Sequence, residues 1–339
     1  MMILGNRSYL CILFLISCNS LDNSPQKNTY HFPTISGSTM GTTYSVKYST
    51  DIKSSDDIKQ NRNKIEEILS DVNMQMSTYI ADSEISEFNR MKTTEWMDIS
   101  EDFAFVVQSS FEYYKLSDGL YDITVMPLVN LWGFGPDKFI DIPTTTNIDS
   151  VLAFIGQDLI EVESNRIRKK DPRVQIDLSS IAKGFAVDKI IESLNYDNIF
   201  VEIGGEVRSK SNEKIWKVGI NTPSIDNISN EIEYIAPIKN GSIATSGNYR
   251  NFYIDKDNRF YHHEINPLTG YPIMSKLASI SIFTETSCME ADGLATALYM
   301  MEVNDINSFF EETDIEGLMI LVEPDMSFKK IVSENFPKN

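Results

Sequence analysis

Residues 42–48, TTYSVKY, alternate polar with apolar positions and are rich in β-formers, which predicts a strand. The period then changes. Ile58, Ile65, Ile68, Leu69, Val72 and Met76 recur at helical spacing behind Ser54 and Ser55, so a helix with one core-facing stripe is expected. A second helix is predicted from Ser100, a suitable N-cap, with Phe103, Val107, Phe111 and Tyr114 on one face and a stop near Gly119. A third is predicted from Ser180 to Leu194. The apolar run 198–203, NIFVEI, is closed by Gly204 and Gly205 and reads as a strand. Further strands are predicted at 214–220, 232–238, 252–254, 278–283 and 317–322, and helices at 290–301 and 304–312. Strands outnumber helices and do not alternate strictly with them, which indicates an α+β fold. No repeat, low-complexity tract or interdomain linker interrupts the pattern, so residues 31–335 are expected to form a single domain.

The N-terminus follows a different pattern. Residues 1–17 read MMILGNRSYLCILFLIS, with Arg7 ahead of an unbroken apolar run from Leu10 to Ile16. That run is too short to span a bilayer but fits a signal peptide. It ends in Leu15, Ile16, Ser17 and Cys18, the aliphatic-small-Cys order of a bacterial lipobox. Residues 1–17 are therefore expected to be a lipoprotein signal peptide and Cys18 the lipidated residue. The polar residues that follow, to about position 30, read as a lipidated tether. The expected location is outside the cytoplasm, anchored to a bacterial membrane face and not inserted, with the periplasmic face of the inner membrane expected.

Charge narrows the ligands. The chain has 49 acidic and 30 basic residues, a formal net charge of −19, which disfavours general nucleic-acid binding. An anionic ligand would need a local cation, a helix N-terminus or a metal. Two of the three cysteines, Cys11 and Cys18, lie in the N-terminal segment, so no disulfide framework is implied and Cys288 reads as a buried apolar residue. No G-x-G-x-x-G lies between a predicted strand and helix, so a Rossmann site is not indicated.

Four constellations could carry chemistry. In EADGLATAL (290–298), Asp292 and Thr296 stand at i and i+4 on one helix face and are both hard oxygen donors of the kind Mg²⁺ takes. Alone, the pair is also what a helix start looks like on any surface. In IDLSSIAKG (176–184), Asp177 ends an apolar step, Ser179 and Ser180 could cap the next helix, and the helix N-terminus suits phosphate. Lys183 sits in the first turn, against the helix dipole, which points to a charged ligand or partner; an ordinary surface lysine is the plainer alternative. In HHEINPLTG (262–270), only one of two adjacent histidines on a strand can face a site, and a histidine beside a turn is commonly structural. GSTMGTTY (37–44), MSTY (76–79) and DGLYDIT (118–124) combine Gly with Met, Tyr or Asp, which can pack on a flat ring or accept from it, or can simply be loops.

Taken in order, GSTMGTTYSVKY, MSTYIADSEISEFN, DGLYDITVMPLVNLWGFGP, IDLSSIAKGFAVD, VEIGGEV, ATSGNYRNFY, HHEINPLTGYP and MEADGLATAL resemble the ApbE family of FAD:protein FMN transferases, from Gly37 to about Met301. The resemblance implies a T-fold-related arrangement of mixed sheets and packed helices around a flavin cleft. It implies that Met40, Tyr79, Leu120, Tyr121 and Asp122 contact FAD, that Asp177 holds a polar group of the flavin or ribose, and that Lys183 and Ile265 line the site. It implies Mg²⁺ held by Asp292, Thr296 and the Ser180 carbonyl. His263, better matched than His262, or Asp177 would take the proton of the attacking hydroxyl. Ala295 stands where some members carry an acid, so water or phosphate oxygen would complete the metal here. Asn266 stands where Asp is common, so no acid–base role is assigned to it. The implied reaction moves FMN from FAD to a Thr or Ser hydroxyl of an acceptor protein and releases AMP; subunits of sodium-pumping or Rnf-type redox complexes are the expected acceptors. The same residues would serve an FAD pyrophosphatase giving FMN and AMP. A non-catalytic FAD-binding lipoprotein is the third reading, disfavoured because storage needs no pyrophosphate-bridging metal.

Overall fold

The alternating segment 42–48 forms a strand with those bounds, and a two-residue turn joins it to a second strand before it. Both turn residues, Met40 (φ 49) and Gly41 (φ 72), take the left-handed conformation that matches the twist of a hairpin. The computed structural model describes residues 31–50, 55–136, 142–223, 231–248, 252–255, 257 and 259–338. The predicted signal peptide, the tether, Cys18 and Ser54 lie outside the described residues.

In chain order, β1 (Thr34–Thr39) and β2 (Thr42–Tyr48) precede α1 (Ser55–Met76), α2 (Glu84–Arg90) and the short β3 (Met97–Asp98). Then come α3 (Glu101–Leu116), α4 (Met126–Leu131), α5 (Thr145–Leu152), β4 (Ile160–Glu163) and β5 (Arg166–Lys169). The middle holds α6 (Ala182–Ser193), β6 (Asn198–Ile203), β7 (Glu206–Ser211), β8 (Trp216–Asn221), β9 (Ile232–Ile238) and β10 (Gly241–Gly247). The last elements are β11 (Phe252–Ile254), β12 (Phe260–His262), β13 (Leu277–Thr284), α7 (Cys288–Tyr299), α8 (Val303–Glu312), β14 (Glu316–Val322) and β15 (Phe328–Val332).

Eight strands form one sheet in the order β1-β2-β6-β7-β10-β13-β14-β15, and every strand pair among the described residues is antiparallel. The fold is α+β. One face of the sheet carries the helices. Ile65, Leu69, Val72 and Met76 of α1 are buried there beside Phe103 and Val107 of α3 and most of α6 and α7. The α3 stripe is rotated slightly from expectation: Tyr113 is buried, while Phe111 and Tyr114 are half-buried. The opposite face is covered by the β8–β9 hairpin, where Trp216, Val218, Ile220, Ala236 and Ile238 pack on Val207, Ile243, Leu318 and Ile320. A smaller cluster of Leu128, Leu131, Trp132, Ile148 and Ile265 supports one rim of the cleft, fixed by the Trp132 indole N–H donating to the Gly270 carbonyl at 2.8 Å. Cys288 is fully buried.

Candidate active site

Helices α6 and α7 cap each other. The N-cap position of α6 is Ile181, whose side chain cannot accept a hydrogen bond. The Gly184 N–H is instead taken by Asp292 Oδ2 of α7 at 2.9 Å. In return, Asp188 of α6 accepts the Cys288 and Met289 N–H groups that open α7, each at 2.8 Å. Arg208 Nη1 lies 2.6 Å from Asp188 Oδ1 and compensates its charge. The approach requires glycine at 184: a Cβ there would lie 2.4 Å from the Cys288 carbonyl oxygen and 2.8 Å from Asp292 Cβ. The predicted serine caps are therefore replaced. Ser180 Oγ bonds the Tyr121 hydroxyl at 2.9 Å, and the Ser179 N–H donates to Asp177 Oδ1 at 2.8 Å.

This helix pair forms the floor of a cavity of about 340 Å³. Tyr79, Leu120, Tyr121, Asp122, Asp177, Ser180, Lys183, His263, Ile265, Asp292 and Thr296 all line it. Met40 does not; it sits in the β1–β2 turn, half-buried against the main core. Tyr79 is 71% exposed at the rim, its hydroxyl donating to the Phe134 carbonyl at 3.2 Å, so one ring face is available for stacking. Asp122 Oδ1 accepts from the Thr124 N–H and hydroxyl at 2.7 and 2.6 Å, and burial pushes its carboxyl up to about 6. Burial also raises Asp177, against the pull of its Ser179 hydrogen bonds.

The two histidines part where β12 ends at His262. His262 is buried, with Nε2 2.6 Å from the Ile273 carbonyl oxygen. His263 faces the cavity, its Nε2 3.5 Å from Glu264 Oε1. Glu264 also lines the cavity, and burial pushes its carboxyl up to about 7. Asn266 closes the adjacent turn by accepting the Leu268 N–H at 2.8 Å, a structural task.

Lys183 has partners within the protein. Its Nζ lies 3.1 Å from Glu206 Oε1 and 3.7 Å from Asp292 Oδ1. Burial works against the ammonium charge, but Asp292 and Glu206 outweigh it and raise its pKa. Burial likewise raises Asp292, with Lys183 pulling the other way and Glu206 adding to the rise. Glu206 and Glu264 escaped the sequence reading. Each stands inside a matched motif, Glu206 with Glu202 in VEIGGEV and Glu264 in HHEINPLTG, so the motif match itself was the available signal.

The donors fit a magnesium ion. Asp292 and Glu206 are two buried carboxylates sharing the Lys183 ammonium, and Glu206 Oε2 is buried with no hydrogen-bond partner. The surplus negative charge favours a cation. Thr296 Oγ1 lies on the cavity side of α7, 3.0 Å from Ser246 Oγ. Among the described residues no group of three or more His, Cys, Asp and Glu could hold a metal by itself. One carboxylate, one hydroxyl and a backbone carbonyl match the habit of Mg²⁺, which takes few protein ligands and completes its octahedron with water and substrate phosphate.

Comparison with known proteins gives the family. Residues 40–319 match the family model described as "ApbE family". The FAD:protein FMN transferase of Haemophilus influenzae is 39% identical over 316 residues, covering 90% of this chain and 90% of that protein. The protein of the same name from Escherichia coli K12 is 31% identical over 336 residues, covering 96% and 93%. Among solved structures, the flavin transferase ApbE from Vibrio cholerae superposes with a TM-score of 0.80 at 37% identity, covering 91% of this chain and 98% of that one. The ApbE protein from Thermotoga maritima gives a TM-score of 0.79 at 25% identity, covering 91% and 100%. A family match spanning most of the chain and relatives aligned nearly end to end lead to one assignment: this chain belongs to the ApbE family.

Proposed function

We propose that this protein is an FAD:protein FMN transferase that moves FMN onto a serine or threonine hydroxyl of an acceptor protein, with Mg²⁺ as cofactor and AMP as the leaving product. The observation that carries the reading is the Asp292, Thr296, Lys183 and Glu206 constellation, set at the N-terminus of α6 inside a cavity with an aromatic rim.

The hydroxyl oxygen forms a bond to the FMN phosphorus, the bond from that phosphorus to the bridging oxygen breaks, and AMP carries the bridging oxygen away. His263 receives the hydroxyl proton and Glu264, 3.5 Å from its Nε2, orients it. Asp177 accepts from a flavin or ribose donor. Lys183 stabilises charge on the pyrophosphate, while the Ala182 and Gly184 amides at the start of α6 are already taken by the Leu178 carbonyl and Asp292 Oδ2. Asp292, Thr296 and the Ser180 carbonyl would hold Mg²⁺, which when bound would neutralise charge developing on the pyrophosphate oxygens. Tyr79 covers one face of the isoalloxazine ring.

The reading extends to location. The lipobox order at 15–18 supports export and lipidation of Cys18, while no helix among the described residues is long and apolar enough to cross a membrane. Mass spectrometry of the mature N-terminus checks this: a diacylated Cys18 is expected, and an uncleaved or unlipidated terminus contradicts it. Redox-complex subunits bearing a flavinylated Ser or Thr are the proposed acceptors. Incubation of protein lacking residues 1–17 with FAD and Mg²⁺, with and without such a subunit, tests the activity. A fluorescent acceptor band on a denaturing gel is expected; AMP release without acceptor labelling would make the enzyme a hydrolase, and bound flavin without AMP would make it a storage protein.

A further inference from the structure

A second cavity, of about 390 Å³, lies between the main sheet and β8. Its floor is one face of the sheet, to which Phe200 and Glu202 of β6 and Ile243 and Thr245 of β10 contribute at alternate positions. Its wall is β8, and there residues 217–221 all contribute. Successive side chains of a strand point to opposite faces, so five in a row can line a groove only where the groove runs along the strand's edge. That edge is open. Among the described residues β8 pairs with β9 alone, and outside that ladder it makes no backbone–backbone hydrogen bond to another described residue. An unpaired strand edge is a template for another strand. Lys217 and Gly219 are exposed along it.

The groove and the flavin cavity share Gly204 and Thr245. The sheet itself parts at this point: β10 pairs with β7 only over Gly241–Ile243, while its remaining residues to Gly247 pair with β13 alone. Gly204 holds φ +65, and a Cβ there would lie 3.4 Å from Glu206 Oε2, so the junction borders the buried carboxylate beside Lys183. Any larger residue at 204 would also meet Thr42 Cγ2 at 2.8 Å.

We propose that this groove receives the acceptor protein as an extended segment, which adds as a strand to the open edge of β8 and presents its Ser or Thr hydroxyl between Gly204 and Thr245. This rests on the transferase reading. A hydroxyl on a protein must arrive on a length of main chain, and the groove offers main-chain pairing along a path continuous with the cavity that holds the reacting phosphorus. Backbone pairing supplies affinity, and alternate side chains meeting Glu202 and Lys217 supply selection.

Thr43 lies on the groove, is exposed, and does not line the flavin cavity. Tryptophan is well tolerated on strands, so Thr43→Trp fills the groove without breaking β2. FMN transfer is measured against the concentration of a purified redox-complex acceptor subunit, and FAD affinity by quenching of flavin fluorescence. The expected result is a KM for acceptor raised about tenfold or more, with kcat and FAD affinity unchanged. An unchanged KM with transfer intact would overturn the groove alone. Absence of transfer in the unsubstituted chain would overturn the transferase reading and the groove with it. Lys217 replaced by the photo-crosslinker benzoylphenylalanine gives an independent readout. Cross-links to the stretch flanking the flavinylated hydroxyl support the proposal; cross-links confined to a second copy of this chain, or to a distant part of the acceptor, overturn it.

Discussion

Asp188 and Asp292 exchange helix caps: Asp188 of α6 accepts two amides at the start of α7, and Asp292 of α7 accepts the Gly184 amide at the start of α6. Carboxylates near helix N-termini are stabilised by the helix dipole and by charge-assisted hydrogen bonds. The exchange therefore locks the register of the two helices that carry Lys183, Asp292 and Thr296. Replacing Asp188 by Asn keeps the volume but turns one acceptor into a donor facing an N–H. A loss of ~1–3 kcal/mol is expected, read by chemical denaturation, together with weaker Mg²⁺ dependence because Asp292 loses its fixed position.

Gly184 is the point of closest approach between those helices. A methyl group at 184 would overlap the Cys288 carbonyl, and neither backbone can yield without moving the other helix. Gly184→Ala should destabilise the fold by ~1–3 kcal/mol and reduce magnesium-dependent turnover far more than it reduces flavin affinity. Thermal denaturation and a Mg²⁺ titration of activity separate the two effects.

His263 faces the cavity and His262 the core. His263→Ala should lower kcat by roughly 10²–10⁴ while leaving FAD affinity nearly unchanged, the range expected for loss of a general base. His262→Ala should instead lower stability, because it removes the ring nitrogen that contacts the Ile273 carbonyl in the interior. Rapid-quench transfer rates and melting curves on both variants distinguish these fates.

Stability should carry a signature of Glu264. Burial lifts its carboxyl from 4.5 to about 7, so the folded state binds a proton over a window in which the unfolded chain has released it. This contribution is fully present below pH 4.5 and is lost as the pH rises through about 7. Glu264→Gln should flatten the fall in unfolding free energy across that window, by an amount on the order of 3 kcal/mol at most. Urea denaturation at several pH values measures it.

Much of this was written in local pattern. The alternation at 42–48, the apolar runs at 198–203 and 232–238 and the Ser100 cap each produced the element expected of them. β7 and β10 were invisible because EVRSKS and GSIATSG carry small polar residues at buried positions such as Ser209, Ser211 and Ser242, where a local pattern calls for apolar ones. The helix predicted from Ser180 begins at Ala182 for a related reason: its cap is Asp292, more than a hundred residues downstream. In the site, the spacing of Asp292 and Thr296 was legible, since one helix sets it. The Lys183–Glu206 pair was not, since two elements and their packing set it.

Asp292 is the proposed ligand of the magnesium ion that would activate FAD for transfer. The direct measurement is the rate of flavin attachment to an acceptor subunit across a Mg²⁺ titration, for the unsubstituted chain and for Asp292→Asn. Saturable, magnesium-dependent labelling of the acceptor with stoichiometric AMP is expected from the former, and loss of that dependence with a rate at least about 10²-fold lower from the latter. Equal magnesium dependence in the two proteins would contradict the metal assignment, and AMP formation without acceptor labelling would contradict transfer itself.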